Sequence, residues 1–82
     1  VAVDDGGMMK TTETERVEIT LNGEPRRVPA GLDLAGLLRE LELDPRLIVV
    51  EHNREIIRAE AHAGVPVEDG DVIELVHFVG GG

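Results

Sequence analysis

One stretch of this chain has helical periodicity, and the segments around it have the periodicity of strands. Leu34, Leu37, Leu38 and Leu41 recur at i, i+3, i+4 and i+7, which puts them in one stripe on a helix. Asp33 is suited to cap its first turn. Leu32 and Leu37 have the spacing of a hydrophobic staple across that cap. Gly36 costs such a helix about 1 kcal/mol relative to Ala, so packing must compensate or the backbone there must approach something closely. Asp44-Pro45 sets the expected stop, because a residue before Pro disfavours the α region. A lone amphipathic helix cannot bury its own stripe. It needs a sheet to lie on, which makes the chain α+β.

The flanking segments supply that sheet. Val17, Ile19 and Leu21 alternate with Glu18 and Thr20, the pattern of a half-buried strand. Asn22-Gly23 follows, a hairpin turn in which both residues tolerate positive φ. Arg26, Arg27 and Val28 form the return strand, bracketed by Pro25 and Pro29 and therefore short and at an edge. After the helix, Leu47, Ile48, Val49 and Val50 are an unbroken apolar run. It reads as a central strand covered on both faces, or as one with a face kept for a partner. His52 to Glu55 is a turn and Ile56-Ile57 a short strand. Ala59 to Ala63 is a single helical turn, stopped by Gly64. Glu68-Asp69-Gly70-Asp71 is a tight turn. Val72 to Phe78 is the last strand, with Ile73 and Leu75 on one face and Val72, Glu74, Val76 and Phe78 on the other. The expected architecture is a mixed sheet of four to five strands packed on one main helix.

Length and composition limit what this domain can do. Its 82 residues allow one domain. A fold this small buries roughly 60% of the surface its unfolded chain exposes, so its stability margin is thin. It has no Cys, so neither a disulfide nor a thiolate site is available, and no side-chain thiol can serve as a nucleophile or a sulfur carrier. A net charge of −9 argues against nucleic acid as a direct partner. No apolar run approaches the roughly 20 residues that cross a membrane, and no signal peptide is visible, so the expected location is the cytoplasm. Residues 1–15 are polar and aperiodic. They read as a disordered leader or remnant ahead of a domain at 16–79, with 80–82 as a flexible glycine tail.

No set of side chains stands out as a catalytic constellation, so the chain reads as a non-enzyme. His52, His62 and His77 match no local zinc spacing and are expected to face solvent. Glu68, Asp69 and Asp71 lack the length and closing Glu of a calcium loop. Lys10 is the only Lys, and no Gly-rich loop precedes it, so no phosphate-binding motif is present. What remains is the end of the sequence. Gly80-Gly81-Gly82 has no side chains to act as acid, base or ligand, and its one reactive group is the Gly82 carboxylate. Glycine can thread a narrow channel and adopt backbone angles closed to other residues.

The start Val17-Glu18-Ile19-Thr20-Leu21-Asn22-Gly23, the leucine helix, the strand end Val49-Val50-Glu51-His52-Asn53 and the stretch from Glu68 to Gly82 together resemble the ThiS family of thiamine-biosynthesis sulfur carriers. The resemblance covers residues 16 to 82. An Asp-Gly-Asp turn, an aliphatic strand and a terminal Gly-Gly are its most specific part. A third glycine, Gly80, departs mildly from the family pattern.

The resemblance implies the β-grasp fold of ubiquitin. It implies a ThiF-type adenylating enzyme that uses ATP and Mg²⁺ to activate the Gly82 carboxylate. Sulfur from a desulfurase or rhodanese-like protein would then leave a thiocarboxylate, which a ThiG-type thiazole synthase consumes. Gly80 and Gly81 would thread the tail. Val76, Phe78 and Val79, extended by Ile48 and Val50 if Leu47 and Val49 point inward, would be the docking patch. Rival readings share the terminus: a carrier for molybdopterin or tRNA thiolation, or a ubiquitin-like modifier. A β-grasp interaction module with an inert tail is the alternative of another class.

Overall fold

The computed structural model describes residues 15–78. Strands β1 (Arg16–Leu21) and β2 (Glu24–Pro29) form the first hairpin. Asn22 and Gly23 turn it at φ 51° and 84°, the left-handed pair that matches the twist of the strands. Helix α1 (Leu34–Glu40) follows, and then a 3-10 turn, Pro45–Leu47. Strands β3 (Ile48–His52) and β4 (Glu55–Ile57) make a second hairpin. A longer 3-10 segment, Ala59–Gly64, leads toward β5 (Val72–His77).

The sheet order is β2-β1-β5-β3-β4. β5 lies in the middle, parallel to β1 and antiparallel to β3. Five strands on one main helix make this the β-grasp arrangement. β2 is an edge strand, as its prolines require, but it is longer than expected and includes both Pro25 and Pro29. Glu15, expected in the leader, is tied to the fold where its carbonyl accepts from the Ala30 amide at 3.0 Å. Residues 1–14 lie outside the described residues, as do Val79, expected in the docking patch, and the expected tail, Gly80, Gly81 and Gly82.

The core is aliphatic throughout. Leu34, Leu37 and Leu38 of α1 pack on Ile19, Val28, Ile48, Val50 and Ile73 of the sheet, with Val67 from the connection before β5. Asp33 caps the helix, its carboxylate accepting from the Gly36 amide at 2.7 Å. Gly36 is explained by this cap: a Cβ there would lie 3.2 Å from Leu32 Cδ2 and 3.3 Å from Asp33 Oδ1. The connection before β5 is tied to the helix start by Leu34 N to Val65 O and Val67 N to Leu32 O, both 2.9 Å.

The helix stops earlier than Asp44-Pro45. The Leu43 amide donates to Leu38 O at 2.9 Å and the Glu42 amide to Arg39 O at 3.0 Å, with Glu42 at φ 60°. These two bonds are a Schellman motif with Glu42 where glycine usually sits. Among the described residues no helix is long and apolar enough to cross a membrane.

Candidate functional site

The candidate site is the C-terminal end of β5, because the sequence runs from there into the glycines. β1 holds the first half of β5. The Thr20 amide donates to Asp71 O and the Asn22 amide to Ile73 O, both at 2.9 Å. The Asn22 side chain extends this ladder by one rung, its Oδ1 accepting from the Leu75 amide at 2.7 Å. Asn22 therefore turns the hairpin and also fastens β5. β3 holds the second half, with Val50 opposite Leu75, Val49 opposite Val76 and Ile48 opposite His77. The last bond is from the Phe78 amide to Leu47 O, at 2.8 Å. Backbone pairing thus persists to Phe78, the last described residue.

The faces of β5 divide as its alternation predicts. Ile73 is fully buried and Leu75 half-buried, both toward the helix. Val72, Val76 and Phe78 are exposed by 42%, 57% and 53% on the open face, an amount that makes them a patch rather than a core fringe. The β3 residues expected to extend it do not. Ile48 and Val50 are in the core, and the parity is the reverse of that expected. Register explains it: Val50 pairs with inward-facing Leu75, and residues opposite each other in a sheet share a face. Val49 is the β3 residue beside Val76, and Leu47, 43% exposed, neighbours Phe78 through their backbone bond. Glu51 carried the signal that would have found this, since a polar residue at 51 puts 49 on the same outward face. Glu51 itself sits directly opposite Glu74, a like-charge pair beside the apolar patch.

At the other end of β5 lies a polar knot. Asp71 is buried, with its Oδ2 2.8 Å from His52 Nε2 and 2.8 Å from the Glu68 amide that donates to it. Its Oδ1 accepts from Asn53 Nδ2 at 3.2 Å. Asn53 in turn accepts from the Val72 amide at 2.8 Å, and its own amide donates to Val72 O at 2.7 Å. Burial pushes the Asp71 carboxyl up, but the Glu68 amide, His52 and Asn53 together outweigh it and hold the carboxyl below its ordinary value. The acidic turn around Asp71 is thus a structural lock, reinforced where the Glu18 amide donates to Asp69 Oδ1 at 2.8 Å.

The histidines depart from the expectation of solvent-facing residues. His52 is held in the knot, and His62 is 2% exposed, its Nε2 3.2 Å from Ile57 O. His62 Nδ1 has no hydrogen-bond partner among the described residues. Only His77 is exposed, on β5. Among the described residues no three His, Asp or Glu side chains are grouped to hold a metal ion.

Comparison with known proteins agrees with this geometry. The model of the ThiS family matches residues 19–82. The sulfur carrier protein ThiS of Bacillus subtilis is 50% identical over 46 residues, covering 56% of this chain and 70% of that one. A thiazole synthase of Paramagnetospirillum magneticum is 42% identical over 66 residues, 80% of this chain. One from Magnetococcus marinus is 41% identical over the same length. The chain spans only 20% of the length of these two synthases. The crystal structure of a thiamine biosynthesis protein, ThiS, from Geobacter metallireducens superposes with a TM-score of 0.70 at 35% identity, covering 80% of this chain and all of that one.

Proposed function

The chain belongs to the ThiS family, the sulfur carriers of thiamine biosynthesis, and from that premise we propose that the carboxylate of Gly82 is its working group. A carboxylate resists nucleophilic attack, because attack loads more charge onto an anion. In the proposed reaction a ThiF-type enzyme first removes that obstacle. A Gly82 oxygen attacks the α-phosphorus of Mg²⁺-bound ATP and pyrophosphate leaves. Hydrosulfide then attacks the acyl carbon, AMP departs and a thiocarboxylate remains. If a desulfurase or rhodanese-like protein delivers the sulfur as a persulfide, a thiol must also cleave the resulting S–S bond. The chain acts as carrier and co-substrate throughout, and the chemistry belongs to its partners.

The observation that carries this reading is the hold on β5. The strand is paired on both sides in its first half and by β3 as far as Phe78. The glycines begin two residues later, so a fixed strand end presents a segment without side chains. The patch of Val76 and Phe78, joined by Leu47 and Val49, is the surface a partner would grip beside it. The thiazole synthases whose sequences include a region like this chain support a ThiG-type synthase as the acceptor of the sulfur.

The test is the intact mass of the protein after incubation with the ThiF-type enzyme of the same organism, ATP, Mg²⁺ and hydrosulfide. The expected result is the exchange of one oxygen for one sulfur, located at Gly82 by fragmentation. An unchanged mass with an enzyme that is competent toward another ThiS protein refutes the reading.

A further inference from the structure

The helix is shorter than the strands beneath it. Seven residues of α1 advance about 10 Å, whereas the six of β5 span about 20 Å. Ile19, Val50 and Ile73 lie fully under cover, but farther along the same face Leu21 and Leu75 are only half-buried and His77 is exposed. The result is an open groove of about 320 Å³ at the end of the sheet from which the glycines leave. Leu21 and Leu75 line its floor, and Leu41 and Leu43, just past the helix, line its side. Arg26 of β2 and His77 of β5 stand among its polar lining.

We propose that this groove is a second grip for the adenylating enzyme, and that it receives an apolar side chain followed by a carboxylate from that partner. The proposal rests on the reading of Gly82 given above.

Two observations choose the occupant. The first is charge. The chain carries −9, so most of its surface repels an acidic group, whereas Arg26 makes no ion pair with any described residue. Glu24 shares that face of β2 but does not line the groove. A local cation beside apolar walls in an acidic protein selects an apolar residue next to a carboxylate. The second is position. Leu75 and His77 face the groove, while Val76 and Phe78 face the outer patch. A partner that fills both holds the last strand from its two sides, at the point where the tail leaves. The adenylating enzyme is the first that must place the bare carboxylate for attack, and glycines offer it no side chains to hold.

The experiment compares Arg26→Glu with Arg27→Glu. Both change the net charge equally, but Arg27 faces the opposite side of β2, across from Glu18. The readout is the carrier concentration that half-saturates ATP–pyrophosphate exchange by the ThiF-type enzyme, with the rate at saturation measured separately. For Arg26→Glu we expect half-saturation to rise about tenfold, as for reversing a charge at an interface, with the saturated rate unchanged. For Arg27→Glu we expect a change of no more than about twofold. Leu41→Trp, which fills the groove and adds the only Trp, should raise half-saturation as Arg26→Glu does. Equal shifts for the two Arg variants, or none for Arg26→Glu, overturn the proposal while leaving the Gly82 reading intact. So does a loss seen only with the thiazole synthase. If the wild-type protein supports no exchange, the Gly82 reading fails first. Calorimetric binding of the two Arg variants to the same enzyme then decides the groove, and equal affinities overturn it.

Discussion

Replacing Asp71 by Ala removes three contacts from one buried side chain: the Glu68 amide, His52 Nε2 and Asn53 Nδ2. At about 1 kcal/mol net for each hydrogen bond, the loss is about 3 kcal/mol. All three contacts are partly buried and the His52 side chain is only 17% exposed, so each counts at its full net value. Small domains are stable by about 5 kcal/mol at the low end, so this is a large share. At about 4–8 °C per kcal/mol, Asp71→Ala should melt about 12–24 °C below wild type. Circular dichroism is the assay, since the chain has no Trp or Tyr to report by fluorescence. A drop under about 4 °C, equivalent to less than 1 kcal/mol, would refute the view of Asp71 as a lock.

The same site makes a signed prediction about pH. The folded-state carboxyl of Asp71 is held below its ordinary value, so the folded state favours the ionised form. The stability this contributes is fully present above the unfolded value, about 3.9. It is lost as pH falls through the lowered folded value. Asp71→Asn has no such carboxyl to titrate. The stability difference between wild type and Asp71→Asn should therefore shrink as pH falls below about 3.9 and be level above about 5. A difference that grows on acidification would reverse the argument. Because the knot lies at the start of β5 and the tail leaves from its end, Asp71→Asn should still accept sulfur at Gly82 at temperatures where it is folded.

Asn22→Gly keeps a residue suited to positive φ but removes the acceptor for the Leu75 amide. It should cost about 1 kcal/mol and speed hydrogen exchange at Leu75 selectively. Arg54 sits at φ 74° in the β3–β4 turn, so Arg54→Gly relieves about 1–2 kcal/mol of backbone cost and returns part of it through the unfolded chain. Urea unfolding should show a net gain of about 0.5 kcal/mol, and a loss would mean that the Arg54 side chain supports the fold. Glu51→Lys converts a like-charge pair with Glu74 into an opposite-charge one, for a gain of about 0.5–1 kcal/mol in the same assay. Phe78→Asp, on a 53% exposed residue, should leave the melting temperature within about 2 °C and raise the carrier concentration that half-saturates the adenylating enzyme.

Much of this fold is readable from local chemistry. Asn22-Gly23 declares its turn because few other pairs accept two positive φ angles. The Leu34 stripe declares its helix by spacing alone. β5 is legible because Glu74 marks one of its faces as outward. The errors occur where such marks are missing or lie outside the ambiguous stretch. Leu47 to Val50 holds no polar residue of its own, and the mark that fixes its parity is Glu51, one residue beyond the apolar run, in agreement with the pairing to β5. The end of α1 is set by Glu42 at φ 60°, and a non-glycine residue in that conformation leaves no signature in the sequence. His62 is buried against a carbonyl five residues earlier, which no spacing rule announces. Asp71 becomes a lock only because residues 18 and 19 positions away fold onto it.

The two sides of this sheet are built to different ends. On the helix side, β1, β2, β3 and β5 supply the fully buried aliphatic core, Ile57 of β4 packs against its edge, and β5 in the middle is held by that packing and by both neighbours. On the open side, Val49, Val76 and Phe78 sit beside Glu51 and Glu74, two carboxylates facing each other across the strands. Neither feature helps the isolated fold. Exposed apolar surface gains nothing in water, and like charges directly opposite each other are destabilising. A sequence under no demand but stability would alternate the charges there, as Glu18 and Arg27 do across β1 and β2. The arrangement makes sense if another protein covers it, bringing apolar contact for Val76 and Phe78 and a cation for the glutamates. The carrier would then keep its strength on the face that fixes β5. It would leave the other face to whatever takes hold of β5 when the glycines are to be read.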